Sequence, residues 1–157
     1  MPSVTHHHAG RLDRILVIDD LPLIPLAFQE VFRSVNPSAS VAYCGNVFTA
    51  LSAKAYAGMT FDLVIIGLIQ DLWSNDLEQT TKELIDRFGR PSIMLYSGAY
   101  DPLIIENMQV AGIDAYVHRL EPIEEIRKVY LDLSAGQTFI SGIFRTLYEE
   151  YGFGVKK

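Results

Sequence analysis

The stretch Arg14-Ile15-Leu16-Val17-Ile18-Asp19-Asp20 runs from branched apolar residues straight into two adjacent carboxylates. Three further runs behave alike: Asp62-Leu63-Val64-Ile65-Ile66 ends in Gly67, Ile93-Met94-Leu95-Tyr96 in Ser97, and Ala115-Tyr116-Val117-His118 in Arg119. Apolar runs of this length, rich in Val and Ile and lacking in/out alternation, are strands covered on both faces. Between them lie segments of helical period, the pattern of βαβ units that close a parallel sheet. We expect strands at 14–18, 41–44, 63–66, 92–96 and 115–118, and helices at 23–33, 47–57, 75–88, 103–111 and 123–133. The expected fold class is therefore α/β, a doubly wound five-stranded parallel sheet with helices on both faces. Asp101-Pro102 supplies an N-cap followed by proline at the first helical position, and Gly89 and Gly112 stand where C-caps take positive φ.

Composition bounds the function. A chain of 157 residues forms about one domain with a core that needs no staples. A net charge of −6 speaks against binding phosphate backbones, which takes clustered Lys and Arg, so no nucleic acid is expected to bind this chain itself. Cys44 is the one cysteine and reads as a buried structural thiol that suits a reducing cytoplasm. The longest apolar run, 63–69, is far short of the ~20 residues of a spanning helix, and no signal-peptide core stands at the N-terminus. We expect a cytoplasmic protein with no membrane contact. Residues 1–10, including His6-His7-His8, read as a flexible lead, 11–133 as the domain, and 134–157 as a linker with an extra C-terminal helix. In that helix Ile143, Phe144, Leu147 and Tyr151 share one face, which must pack either on the domain or on a second protein chain.

The carboxyl ends of parallel strands are where ligands and chemistry collect. Adjacent carboxylates there repel, and a divalent cation or a nearby Lys or Arg relieves them. Asp19 and Asp20 thus form a candidate acidic pocket and metal site, with capping of the following helix as the plainer role for one of them.

On these residues the chain resembles a receiver domain of two-component response regulators, a flavodoxin-like, CheY-like fold, over about 11–133. Asp19 and Asp20 match the acidic pair after the first strand. Ser97-Gly98 match the small hydroxyl motif after the fourth. Gly112, Asp114 and Tyr116 match the approach to the fifth-strand lysine. Two positions depart. The aspartate that accepts a phosphoryl group in a phosphorelay is replaced by Gly67, and the lysine by Arg119. The resemblance implies a fold that relays its state through Ser97 and Tyr116. The departures imply that no phosphoryl group is accepted, since glycine has no atom to accept it. The metal site keeps only Asp19, Asp20 and backbone oxygen, so no cofactor is expected beyond weak Mg²⁺. Asp71, the nearest other carboxylate, is a poor stand-in for the acceptor. Arg119 either forms a forked pair with Asp19 or Asp20, or points from the rim into solvent.

Leu103, Ile104, Ile105, Met108 and Val110 crowd one helix with more apolar surface than a single core-facing stripe buries. Leu103, Ile104, Ile105 and Met108 are therefore the expected interface, for self-association as a homodimer or for another protein partner, and the C-terminal helix could also cover this face in cis. The stretch Ile126-Arg127-Lys128-Val129 and then 135–141 is similar to the junction of LuxR-type transcription regulators. The expected function is thus an atypical, non-enzymatic receiver acting through protein contact. One alternative is the input domain of a LuxR-type DNA-binding regulator. A remote alternative is a Mg-dependent phosphotransfer enzyme.

Overall fold

The computed structural model describes residues 10–67 and 77–151. His6-His7-His8, Asp71, the first residues of the expected third helix and Lys156-Lys157 lie outside them. The elements run β1 (Arg14–Ile18), α1 (Leu23–Val35), β2 (Ser40–Cys44), α2 (Val47–Ser52), β3 (Leu63–Gly67), α3 (Leu77–Arg87), β4 (Ser92–Ser97), α4 (Pro102–Ala111), β5 (Ala115–His118), α5 (Ile123–Ser134), β6 (Phe139–Ile140) and α6 (Gly142–Glu150). All pairings are parallel, in the order β2-β1-β3-β4-β5-β6.

Alternation along each strand divides the core into two layers. Ile15, Val17, Leu63, Ile65, Met94 and Val117 face α1 and α5, where Phe28, Phe32, Val129 and Tyr130 pack on them. Leu16, Ile18, Val64, Ile66, Leu95 and Tyr116 face the other way, against Ala50, Leu84, Phe88, Ile104, Met108 and Phe144. Neither face of the central strands meets water, which is why they read as unbroken apolar runs.

Two expectations need correction, and one open alternative is decided. Among the described residues the sheet has six strands, because Phe139-Ile140 pairs with Ala115-Tyr116 and removes β5 from the edge. The extra helix α6 packs on the domain in cis, with Phe144 wholly buried. The proposed interface on α4 divides: Ile104 and Met108 belong to the core and Ile105 packs against it, while Leu103, 56% exposed, faces solvent with Val110.

Local signals explain the boundaries of α4. Asp101 accepts a hydrogen bond from the Leu103 amide at 2.9 Å, and Pro102 opens the first turn. Gly112 ends the helix at φ 80°, and a Cβ there would approach Ile85 to 2.8 Å. Gly112→Ala should therefore lower unfolding free energy by about 1–2 kcal/mol, the cost of placing an L side chain in the left-handed region, as read from urea denaturation.

Candidate functional site

The parallel register brings the ends of β1, β3, β4 and β5 together, with Gly67 opposite Tyr96 and Ser97 opposite His118. Asp19 follows β1 directly and is held there by its own backbone, whose N–H donates to the Cys44 carbonyl at 3.0 Å. Arg119 follows β5 and donates its N–H to the Ser97 carbonyl at 3.0 Å. Both side chains therefore start from fixed strand ends and converge over the intervening β3.

The Arg119 guanidinium donates to Asp19 Oδ2 at 2.8 Å, and the two side chains are 24% and 1% exposed. The other carboxylate oxygen, Oδ1, accepts the Leu21 N–H at 2.9 Å, so Asp19 also serves the turn into α1. The guanidinium carbon lies 4.9 Å from the centroid of the Tyr96 ring, a cation–π placement. Burial pushes the Tyr96 hydroxyl above its ordinary range, partly offset by the Arg119 charge and reinforced by Asp19. That hydroxyl donates to the Arg119 carbonyl at 3.3 Å.

Gly67 lies under this pair. A Cβ at position 67 would meet Asp19 Oδ2 at 2.0 Å, Asp19 Cγ at 2.7 Å and Arg119 Nη2 at 2.9 Å. Here the need for glycine is spatial rather than conformational: the ion pair fills the volume into which any side chain from the end of β3 would project. Of the two sequence readings of Arg119, the structure has the pair with Asp19, but made through one nitrogen and one oxygen rather than as a fork, because Oδ1 is taken by the Leu21 N–H. Asp20 is not brought into it, and its side chain is exposed.

Both Asp19 oxygens are engaged, one by a fixed positive charge, and among the described residues no group of three or more His, Cys, Asp or Glu side chains converges.

Ser97 and Tyr116 both turn inward. Ser97 Oγ accepts the Ala99 N–H at 3.0 Å and donates back to the Ala99 carbonyl at 3.3 Å. The Tyr116 hydroxyl donates to the Ala99 carbonyl at 2.9 Å and accepts the Asp101 N–H at 3.0 Å. Burial raises its proton affinity well above that of an ordinary phenol. His118 is half-buried, and its Nδ1 accepts the Leu120 N–H at 3.0 Å. Sequence reasoning missed Tyr96 as part of the site and gave Phe144 only a place in an apolar stripe. Tyr96 could have been found from register, since it stands opposite Gly67 on the neighbouring strand.

Large apolar side chains are exposed on several segments that follow strand carboxyl ends, Leu21, Leu23 and Leu26 after β1, Phe48 after β2, and Leu120 and Ile123 after β5, and also at Tyr43, Leu103, Val110, Leu131 and Tyr151. Among the described residues no helix is long and apolar enough to cross a membrane.

No family model and no curated protein matches the sequence. Solved structures do. A LuxR-family two-component response regulator from Aurantimonas sp. SI85-9A1 is 19% identical with a TM-score of 0.71, over 88% of this chain and 96% of that one. A LuxR-family DNA-binding response regulator from Silicibacter pomeroyi is 17% identical with a TM-score of 0.66, over 85% and 99%. The isolated REC domain of RcsB from Salmonella enterica serovar Typhimurium, in the presence of phosphomimetic BeF3-, is 13% identical with a TM-score of 0.68, over 88% and 99%. The chain has the fold of a response-regulator receiver domain.

Removing the guanidinium strands a buried carboxylate. Arg119→Ala should cost roughly 2–3 kcal/mol, below the 3–5 of a wholly buried pair because Arg119 keeps some water. Arg119→Lys should recover only part of this, since an ammonium keeps the charge but not the planar contact with Tyr96. Urea denaturation of both variants measures the two effects.

Proposed function

We propose that this chain is a receiver-like signalling module whose output is contact with another protein and whose setting does not depend on phosphoryl transfer. The observation that carries this reading is the Asp19–Arg119 pair lodged where an acceptor side chain would stand on β3. In a receiver a divalent cation would balance the acidic pocket and the anionic phosphoryl group it helps to bind. Here a guanidinium already balances Asp19, and glycine offers no oxygen for an incoming phosphorus. The chain performs no catalysis in this reading: the Asp19 carboxylate is committed to Arg119 and to the Leu21 amide, which leaves it a poor nucleophile and a poor cation ligand. The exposed apolar residues that follow β1, β2 and β5 supply the surface for contact. A second copy of the chain is the first partner to test.

A second reading concerns context. One neighbour in structure is described as a LuxR-family DNA-binding response regulator, and one solved structure holds two RcsB dimers bound to two parallel DNAs. The same module would then serve as the input half of a DNA-binding regulator, with an output domain as the partner it contacts.

Incubation with a small-molecule phosphodonor and Mg²⁺ should leave the intact mass unchanged, and an acid-labile gain of one phosphate would overturn the proposal. For the contact surface, Leu120→Glu combined with Leu23→Glu should shift the mass measured by light scattering toward the monomer. An unchanged mass for a self-associating chain would remove this rim from the interface.

A further inference from the structure

We propose that β6 and α6 form a clamp built into the chain, which fixes Tyr116 inward and reserves the face beside α4 and β5 for an intramolecular occupant. The inference goes beyond the reading of the acidic pocket, because it concerns what sets the switch-like tyrosine once no covalent signal can reach it.

Phe144 of α6 and Tyr116 of β5 are both fully buried and stack with centroids 4.0 Å apart and planes 14° apart. The same phenylalanine touches His118 at 5.0 Å and Tyr100 at 6.2 Å, between centroids. The ring of Tyr116 therefore cannot swing outward without first expelling Phe144. Its hydroxyl meanwhile holds the β4–α4 loop through Ala99 and Asp101, and Ser97 closes the same loop from the other side. One contact with α6 thus stands behind the loop that leads from the pocket into α4.

The clamp is anchored by more than packing. Phe139 donates its N–H to the Asp114 carbonyl at 2.9 Å and Ser141 to the Tyr116 carbonyl at 3.0 Å, which pairs backbone that β5 would otherwise leave open. Ser141 Oγ accepts the His118 N–H at 3.0 Å. At the start of α6, Glu125 accepts the Gly142 N–H at 3.1 Å and Glu121 accepts the Ile143 N–H at 2.8 Å. Two carboxylates near α5 thus satisfy first-turn donors of α6 and suit the positive end of its dipole. A protein that used this face would have to displace a segment held by strand pairing, aromatic stacking and two charged caps.

Amide hydrogen exchange on the full chain tests the clamp, and its outcome is independent of whether any phosphoryl group is accepted. In Phe144→Ala the Asp101 amide should exchange about tenfold faster while amides of β1 and β3 keep their rates. The pair Glu121→Gln and Glu125→Gln should speed exchange at 142–145 and, with it, at Asp101. If Phe144→Ala loses protection throughout β1 and β3, the glutamine pair decides the matter. Faster exchange in α6 with the Asp101 amide at its original rate would overturn the proposal, as would glutamine variants whose α6 remains fully protected.

Discussion

The carboxylate of Asp19 is almost wholly withdrawn from water, and a charge so placed costs several kcal/mol unless something answers it. Arg119 answers it from the end of β5, steadied by the ring of Tyr96 beneath its guanidinium. The arrangement is bought with space: the paired side chains occupy the volume above the end of β3. Glycine at 67 and arginine at 119 are therefore two halves of one solution. With the two side chains placed so, a side chain at 67 has no room beside the Asp19 carboxylate.

From this pair the sheet leads into two aromatic systems on its opposite faces. On one, Tyr96 meets Phe28 edge-on at 5.0 Å, Phe28 stacks on Phe32 at 5.4 Å, and Phe32 on Tyr130 at 4.6 Å, which ties the pocket to the packing of α1 and α5. Tyr130 then donates to the Leu12 carbonyl at 2.6 Å, at the foot of β1. On the other face Tyr116 stacks on Phe144 and governs the loop before α4. The first system is continuous with the ion pair, and the second is governed by the C-terminal segment.

The central sheet was legible because strands buried on both faces leave no polar alternation, and Asp101-Pro102 and Gly112 mark α4 by capping chemistry alone. The sixth strand was not: Phe139-Ile140 is too short to show a period, and its pairing depends on the open side of β5. The α4 surface was misjudged because counting apolar residues says nothing of how many neighbours a helix has. Ile104 and Met108, one turn apart, reach the core, and only the outward pair Leu103 and Val110 remains exposed. Arg119 could not be assigned from the chain alone, since its partner lies 100 residues away and rim and pocket differ only by side-chain direction. The meaning of Gly67 was half visible. The resemblance to receivers could mark position 67 as the one to look at, whereas the filling of the space above it by Asp19 required the folded edge.

A double-mutant cycle on Gly67→Ala and Asp19→Ala tests the central claim most directly, with unfolding free energies from denaturant titration. In the presence of Asp19, the added methyl should destabilise the chain by about 1–3 kcal/mol, the usual cost of overpacking a filled site. With Asp19 shortened to alanine, the same methyl should cost less than about half as much, because the two closest atoms have been removed. An equal cost in both backgrounds would contradict the account, since it would mean that the ion pair does not hold the space at the end of β3.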